Sequence, residues 1–557
     1  MMKRYNEMNL RAILTGICML CLFACNEDKG NYDYAEINRV SEFSDIKEEY
    51  SVEMGERLQI SPKMEMEIDN PDDFDYTWYY KSEGAWNVLQ EGRDFDFVIA
   101  DPIGAPNNTY TCAFEVKNKH TGVAYRTTFN IKVTGTFNKG YVVLYEKENE
   151  FDMGMMVLNA QNQYLPKYDI LASVAPDLQR EGVKPYDIKI FNDNTAPHPY
   201  HKDGSGRSVY LLTDQYTTRL KVVDFTWDPS YDLSNMVEKN SPIYRNYVEA
   251  GRPVIAEKMV VSHMNSNART YIYMKGDDGN KYWYLYTTWP VLYFLSYPMN
   301  AYRGKLLSDY QLYQASPFVA TCARTTLFFN EEKNDFTIQI LPSGPNQMGT
   351  DFFFSKDFLD ESRDHIFNFH DENDGLFYMA ERCNAGSSFA ILKQKNGTFK
   401  FIEFENAMNE SDLVVKEKKL RACTFAASTG IGRAKFIAAA PTPNNAFVYY
   451  STDDNRVFYT DITDTEAKVV EITDQVMKEG YDEITLMKFV SNSSNKYLGI
   501  ATYNRSLKDK GGRIDFYEMP SSTSGSLKPA KHEIDVENSI EMSWDGFGKI
   551  IGLDYKP

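Results

Sequence analysis

The sequence contains few of the side chains that build metal centres and disulfide frameworks. It has 7 Cys and 7 His in 557 residues, and three of the cysteines lie within the first 25 positions. The other four are widely separated, each in an apolar segment: Cys112, Cys322, Cys383 and Cys423. Their spacing excludes a dense disulfide framework, although one disulfide stays open. We expect buried free thiols at these positions.

Motifs of catalysis are also scarce. Gly430-Ile431-Gly432 is too short for a phosphate-binding loop, and Gly204-Ser205-Gly206 lacks the flanking pattern of a nucleophile elbow. The best metal candidate is His198-Pro199-Tyr200-His201 together with Asp203. Its proline breaks helical spacing and glycines follow it, so we interpret the stretch as a polar loop. The sequence therefore predicts no metal and no cofactor, and it assigns no catalytic residue.

Positive charge is deficient. Lys and Arg number 60 against 79 Asp and Glu, which gives a formal net charge of −19. A surface of this sign repels nucleic acid and anionic polymers. We therefore predict no nucleic-acid partner, and partners that are neutral, cationic or protein. Aromatic residues are abundant at 14% of the chain, and they favour β-strands.

The first 24 residues have the pattern of a signal peptide. Lys3, Arg4 and Arg11 supply positive charge, and the apolar run from Ala12 to Ala24 is too short to span a bilayer. Ala24 directly before Cys25 resembles a bacterial lipoprotein box, in which the cysteine is acylated and anchors the protein to a membrane. Phe23 departs from the small residue common at that place. The alternative is an ordinary cleaved secretory signal.

Residues 25–34 form a polar linker that carries a family resemblance. Asn26-Glu27-Asp28 resembles the signal that exports lipoproteins of the Bacteroidota to the outer face of the outer membrane, although a solvated linker would have a similar composition. Lys29-Gly30-Asn31-Tyr32-Asp33-Tyr34 and Ile37-Asn38 are similar to the start of the PKD-like family of Bacteroidota lipoproteins. The resemblance implies a lipid-anchored, surface-exposed lipoprotein. It also implies an accessory role in a SusC/SusD-type outer-membrane importer of oligomeric peptides or glycans.

Residues 35–136 predict an immunoglobulin-like or PKD-like β-sandwich. Met64, Met66 and Ile68 alternate with charged residues, which is the period of a half-buried strand. Similar short strands separated by turn segments fit the usual sandwich of about seven strands in roughly 100 residues. Trp78 on a middle strand resembles the buried tryptophan of such domains.

Residues 140–557 predict a β-propeller, with seven blades favoured. An apolar strand, a polar turn and a second apolar strand recur at roughly the repeat length of four-stranded blades. The strand Ile550-Ile551-Gly552-Leu553 could complete the first blade and close the ring. Helical patterns are scarce, with Asp474–Glu479 as one short candidate. A stack of further sandwiches is the alternative fold.

An aromatic cluster supplies the candidate ligand site. Trp283, Trp289 and Tyr293 could contact sugar rings or peptide side chains, with Trp289 in a loop as an exposed anchor. Packing between blades is the alternative role for these rings. We therefore expect a binding protein for an oligomeric peptide or glycan. A propeller hydrolase or lyase is the alternative.

The leader generates one prediction. Replacing Cys25 by Ala removes the thiol that would carry the lipid, so the protein should leave the outer-membrane fraction. Fractionation after a carbonate wash checks this, with the wild-type chain, which keeps Cys25, as the control. A variant that stays membrane-bound would show that the lipoprotein interpretation is wrong.

Overall fold

The computed structural model describes residues 38–557 apart from short segments. The segments outside the description are 69, 101, 105–107, 160–162, 193–206, 238–243, 263–268, 275–280, 289–290, 295–297, 304–309, 323–324, 341–349, 354–372, 383–386, 410–413, 442–444, 492–495, 522 and 533–539. The predicted signal peptide, Cys25 and the linker to residue 34 therefore lie outside the described residues. The described chain forms two compact units. The first comprises residues up to Tyr50 with Gly55–Gly104 and Thr109–Lys132, and the second comprises Val133–Pro557 with 51–54 and 105–108.

The first unit is built from short antiparallel strands in three sheets, ordered β2-β9-β8-β5-β6, β1-β4 and β3-β7. The strands are β1 (Val40–Ser44), β2 (Glu49–Glu53), β3 (Arg57–Ile60), β4 (Lys63–Met66), β5 (Phe74–Ser82), β6 (Ala85–Glu91), β7 (Phe95–Val98), β8 (Thr109–Asn118) and β9 (Ala124–Thr134). The apolar residues that alternate along these strands form the core between the sheets, so the predicted sandwich is confirmed.

Trp78 lies at the centre of the sandwich core. Its side chain is 1% exposed, and its ring lies 4.3 Å from the Phe114 ring and 5.0 Å from the Phe95 ring. The indole Nε1–H donates to the carbonyl of Gly92 at 2.9 Å, which satisfies its one polar atom. Cys112 is buried on the neighbouring strand β8 as a free thiol.

The second unit is a β-propeller whose sheets follow one another along the chain. The first sheet, ordered β12-β11-β10-β38, contains β10 (Gly140–Glu146), β11 (Phe151–Leu158), β12 (Tyr164–Lys167) and β38 (Lys549–Lys556). Next come β13 (Pro185–Asn192), β14 (Arg207–Thr213) and β15 (Thr217–Lys221), then β16 (Lys258–Ser262), β17 (Arg269–Met274), β18 (Lys281–Thr288) and β19 (Val291–Phe294). A two-stranded ribbon follows, made of β20 (Ala301–Arg303) and β21 (Tyr310–Leu312).

Four further sheets complete the described part of this unit, each with its strands in chain order. They are β22 (Ala320–Cys322), β23 (Thr325–Asn330), β24 (Asp335–Ile340) and β25 (Thr350–Phe353); β26 (Asn373–Arg382), β27 (Ser387–Gln394), β28 (Phe399–Asn409) and β29 (Val414–Phe425); β30 (Ala434–Ala439), β31 (Phe447–Thr452), β32 (Val457–Asp461) and β33 (Val469–Glu471); and β34 (Glu483–Ser491), β35 (Lys496–Tyr503), β36 (Gly512–Glu518) and β37 (Ser543–Phe547). Seven blades stays a prediction, although the described residues contain seven sheets of three or four strands and the ribbon.

Helices are short in the described residues. The α-helices are α1 (Ile170–Val174) and α2 (Thr473–Val476), the second overlapping the predicted helical stretch. Single turns of 3₁₀-helix lie at Pro71–Asp73, Pro229–Tyr231, Leu233–Met236, Ala427–Thr429, Ile431–Arg433 and Arg505–Lys510, and a π-helical turn lies at Tyr244–Val248. Among the described residues, none of these helices has the length and apolar character needed to cross a bilayer.

Strand β38 joins the last part of the chain to the first blade. It pairs antiparallel with β10 from Gly140↔Lys556 to Glu146↔Lys549, with one irregularity beside Leu144. Tyr141, Val143, Ile550 and Leu553 pack together from the two strands in one buried cluster. The segment Ile550–Leu553 therefore lies in the first blade, as the sequence predicted.

A buried ion network joins two neighbouring blades. The side chains of Arg382 on β26 and Glu403 on β28 are both fully buried and form an ion pair. Arg382 Nε donates to the carbonyl of Ala440 at 2.9 Å, and its Nη2 donates to the carbonyl of Asn445. Arg421 Nη1 lies 2.9 Å from Glu403 Oε2. Because these charges have left water, each depends on its partners.

Ring closure generates a prediction about stability. Deleting residues 546–557 removes β38, exposes the edge of β10 and uncovers apolar residues of the shared cluster. The melting temperature of the propeller transition should fall by roughly 10 °C or more, because the loss exceeds that of an ordinary point substitution. Calorimetry measures this, and a chain lacking only the exposed Pro557 is the control. An unchanged transition would contradict the closure.

The buried network generates a second prediction. Arg382→Met removes the buried cation from Glu403, which keeps only Arg421 and the Ser387 hydroxyl as partners, and it removes a donor from two carbonyls. The free energy of unfolding should therefore fall by about 3–5 kcal/mol. Denaturant titration measures the change. Arg433→Met is the matched control, because Arg433 forms ion pairs with Asp453 and Asp454 while half exposed, where such pairs contribute little. Equal effects of the two substitutions would contradict the account.

Candidate functional site

A cavity of about 1040 Å³ lies among the strands at one end of each of several propeller sheets. Its wall comes from β13, β16, β26, β30, β34 and β38 and from the segment Pro317–Val319 just before β22. Each of these elements is the end strand of its sheet, or directly precedes it, so the cavity lies where the innermost strands converge. Such a place is a usual position for a ligand in a propeller-like or barrel-like fold.

Alternation along β13 places charged residues on the cavity wall. Ile188 is buried in the apolar core between blades, while Asp187 and Lys189 line the cavity, and Ile190 belongs to both the core and the wall. This division follows from the two-residue period of a strand. Lys488 on β34 and Asp554 on β38 reach the same part of the wall.

These four residues form one ionic group. Lys189 Nζ lies 2.6 Å from Asp187 Oδ2, and Lys488 Nζ donates to the carbonyl of Leu553 at 2.8 Å. Main-chain N–H groups satisfy the carboxylates. Ile188 N donates to Asp187 Oδ1 at 2.8 Å, Ile190 N to Asp554 Oδ2 at 2.8 Å, and Tyr555 N to Asp554 Oδ1 at 2.9 Å.

The two lysines titrate in opposite directions. Burial lowers the pKa of Lys488, and the neighbouring positive charge of Lys189 lowers it further. Burial also opposes the charge on Lys189, but the Asp187 and Asp554 carboxylates outweigh it, so the pKa of Lys189 is raised. One ammonium is therefore firmly held, and the other is the more easily deprotonated of the two.

Aromatic side chains form another part of the wall. Phe318 lies between Lys258, whose Nζ is 4.7 Å from the ring centroid, and Tyr378, whose ring is 4.9 Å away. Tyr378 Oη donates to the carbonyl of Ile437 at 3.4 Å, which links β26 to β30, and burial raises the pKa of Tyr378 to about 12. Phe436 and Phe489 are half-buried in the same wall. The cavity therefore offers fixed ring faces beside an ionic group.

The residues predicted to bind ligand are Trp283, Trp289 and Tyr293. Trp283 lies on β18 and pairs with Ile272 of β17, and Tyr293 lies on β19 and pairs with Tyr286 of β18. These are the third and fourth strands of a sheet whose first strand, β16, lines the cavity. Trp289 lies outside the described residues. The cavity wall, as far as the chain is described, contains none of these three residues. Their role as ligand contacts stays a prediction.

Sequence reasoning did not identify the cavity residues. The available signal was charge inside an apolar strand, since Asp187 and Lys189 alternate with isoleucines in β13. Lys488 is similar, because it is a lysine within the mostly buried strand β34. That signal indicates two strands that face a common channel. It does not indicate that Lys189 and Lys488 lie close together.

The histidine-containing stretch and the cysteines are further motifs that the sequence offers for chemistry. The stretch from His198 to Asp203, which the sequence pattern indicates to be a polar loop, lies outside the described residues. Among the described side chains no three His, Cys, Asp or Glu are grouped to hold a metal ion. Cys112 and Cys423 are buried free thiols, as expected, and burial raises the pKa of Cys112 to about 12 and that of Cys423 to about 11. The side chains of Cys322 and Cys383 are outside the description.

The hairpin between β31 and β32 contributes to packing. Asn455 adopts a positive φ of 62°, where asparagine is better tolerated than most residues. The turn closes through Thr452 N donating to the carbonyl of Arg456 at 2.9 Å. Asn455 Oδ1 also accepts from Ile484 N at 3.0 Å, which connects this blade to the next.

The chain is similar to one protein family and to several solved structures. The sequence model of the PKD-like family matches residues 25–176. No curated protein matches the chain. Similar solved structures include a quinonprotein alcohol dehydrogenase-like protein of Bacteroides thetaiotaomicron, at 12% identity and a TM-score of 0.37, covering 94% of this chain and 100% of that one. Another is a putative 6-phosphogluconolactonase of Bacteroides uniformis, at 10% identity and a TM-score of 0.37, covering 75% of this chain and 99% of that one.

These similarities say nothing about substrate or activity. The protein is all-β, with a PKD-like N-terminal domain and a β-propeller. Its candidate site is the cavity among the innermost strands.

Proposed function

We propose that this protein is a cell-surface lipoprotein that binds an oligomeric nutrient in the central cavity of its propeller. The observation that carries the proposal is the cavity itself, about 1040 Å³ in volume and lined by aromatic rings beside an ionic group. Small-molecule and oligomer sites are concave, mostly apolar, and contain a few placed polar groups. The cavity has this composition.

Binding fits the way in which the polar groups of the wall are held. Asp187 and Asp554 each accept hydrogen bonds from main-chain N–H groups, so their oxygens are fixed by the fold. The ring of Phe318 is fixed between Lys258 and Tyr378. A wall fixed before the ligand arrives loses little conformational entropy on binding.

Attachment and partners form the second part of the proposal. Cleavage of the leader after Ala24 would leave a lipidated Cys25 at the start of the mature chain, and the acidic linker would direct export to the outer face of the outer membrane. The resemblance of the first residues to PKD-like lipoproteins supports an accessory role beside a SusC/SusD-type importer. Co-purification of such a transporter with the tagged, lipidated protein from its native membrane is the expected result.

A lyase or hydrolase is the alternative function, and Lys488 is the observation that favours it. A lysine whose pKa is lowered by burial and a neighbouring cation can serve as a general base. Lyase chemistry requires such a base beside the proton that it removes. The two functions differ in one outcome, because a binder leaves its ligand intact.

A screen of peptide and glycan oligomers, read by affinity and by mass spectrometry, tests the proposal. We expect at least one oligomer to bind and to keep its mass after long incubation. Reproducible cleavage products that disappear in Lys488→Met would replace the binding assignment with the lyase. Cleavage products that persist in this variant would point to a contaminating enzyme.

The aromatic wall generates a prediction for any oligomer that the screen identifies. Tyr378→Ala removes a ring from the wall and the support of Phe318, so affinity should fall by roughly ten-fold, as expected when one anchoring ring is lost. Phe377→Ala is the matched control, because Phe377 is half-buried on the same strand but packs against Phe399 at 5.1 Å. Calorimetric titration measures both variants below their melting temperatures. Equal losses of affinity would contradict a site in the cavity.

A further inference from the structure

Two lysine side chains lie together in the cavity of a protein whose net charge is strongly negative. The chain carries a formal charge of −19, yet Lys189 and Lys488 come together from strands that lie roughly 300 residues apart. Only 17% of the Lys189 side chain is exposed. Like charges at such a place cost free energy unless a negative charge compensates them.

Asp187 and Asp554 balance the charge of the two lysines, but the direct contacts are divided unevenly. Asp187 contacts Lys189 directly at 2.6 Å, but each carboxylate also accepts main-chain hydrogen bonds that hold it against its own strand. Lys488 donates to the Leu553 carbonyl, a neutral acceptor, at 2.8 Å. An ammonium has three N–H donors, so Lys488 can donate further bonds toward the cavity.

We propose that Lys488, supported by Lys189, binds a carboxylate group of the ligand in the cavity. This inference rests on the proposed function as a binding protein and adds the chemical class of the ligand. A carboxylate would accept a charge-assisted hydrogen bond from Lys488 and would separate the two ammonium groups electrostatically. The ring faces of Phe318 and Tyr378 would contact the remainder of the bound unit.

A singly charged anion fits this site better than a doubly charged one. With both lysines protonated, the four ionic groups sum to zero, so a carboxylate leaves the group at −1 and a phosphate dianion would leave it at −2. Excess charge in a poorly solvated cavity is costly. The general acidic surface acts at longer range, where salt screens it within about 8–10 Å.

Binding of a carboxylate should be coupled to proton uptake. The groups that act on Lys488 are Lys189 and Asp187 from β13 and Asp554 from β38. Elsewhere the wall carries four further charged side chains: Arg207, Glu257, Lys258 and Glu381. A ligand carboxylate opposes the burial and the Lys189 charge that lower the pKa of Lys488, so it raises that pKa and favours the protonated amine.

Matched ligand pairs test the proposal and distinguish two sources of the carboxylate. The first pair is trigalacturonic acid and its fully methyl-esterified form, and the second is N-acetylated, amidated Gly-Glu-Gly and its Gly-Gln-Gly counterpart. In at least one pair, the acid should bind ten-fold or more tightly than its uncharged partner. The pair that shows this preference identifies the source as uronate or acidic peptide.

Two lysine variants locate the effect. Lys488→Met should abolish the preference for the acid. Lys496→Met should retain it, because Lys496 also donates to a carbonyl, that of Pro441 at 3.3 Å, but lies outside the cavity wall. Equal binding within both pairs, no binding of either acid, or a preference that survives Lys488→Met would each overturn the inference. An uncharged oligomer bound in the broader screen would still support the proposed function.

Proton uptake provides a readout that general damage to the site would not imitate. Titration calorimetry at pH 8 in HEPES and in Tris gives the number of protons taken up with the acid ligand. Wild type should show net uptake, and Lys496→Met should match it. Release or zero exchange in the wild type would contradict the role of Lys488.

Discussion

The antiparallel pairing of β10 with β38 is the constraint on which the propeller depends. It connects the start of the propeller to its last strand, so one blade contains strands from both ends of that unit. The same pairing positions β38 beside β13 and β34, where Asp554 accepts from Ile190 N and the Leu553 carbonyl accepts from Lys488. Closure of the ring and construction of the cavity therefore use the same strand.

Several polar contacts between neighbouring blades involve the inner strands. Tyr378 connects β26 to β30, and Arg382 contacts the carbonyls of Ala440 and Asn445 just beyond β30. Lys435 Nζ connects β30 to β34 through the Ile484 carbonyl at 3.1 Å. Buried contacts of this kind add directional restraint to the apolar packing between sheets. The cavity wall is consequently held by bonds that also hold the blades in order.

The sequence predicted the fold class because strand periodicity is a local property. Alternation such as Met64 and Met66 with charged neighbours, and the recurrence of paired apolar runs, gave the sandwich and the propeller. The candidate site was not predictable in the same way. Trp283, Trp289 and Tyr293 are conspicuous in composition, whereas the meeting of Lys189 with Lys488 depends on ring closure between distant strands, which no local pattern encodes.

Hydroxyl-radical footprinting of the protein with a bound oligomer reports which side chains the ligand covers, and so whether the cavity is the binding site. A saturating ligand should reduce labelling of Phe318, Tyr378 and Phe436 on the cavity wall. Labelling of Trp283, Trp289 and Tyr293 should stay unchanged. Protection of these three residues, with unchanged labelling of the cavity aromatics, would contradict a site in the cavity.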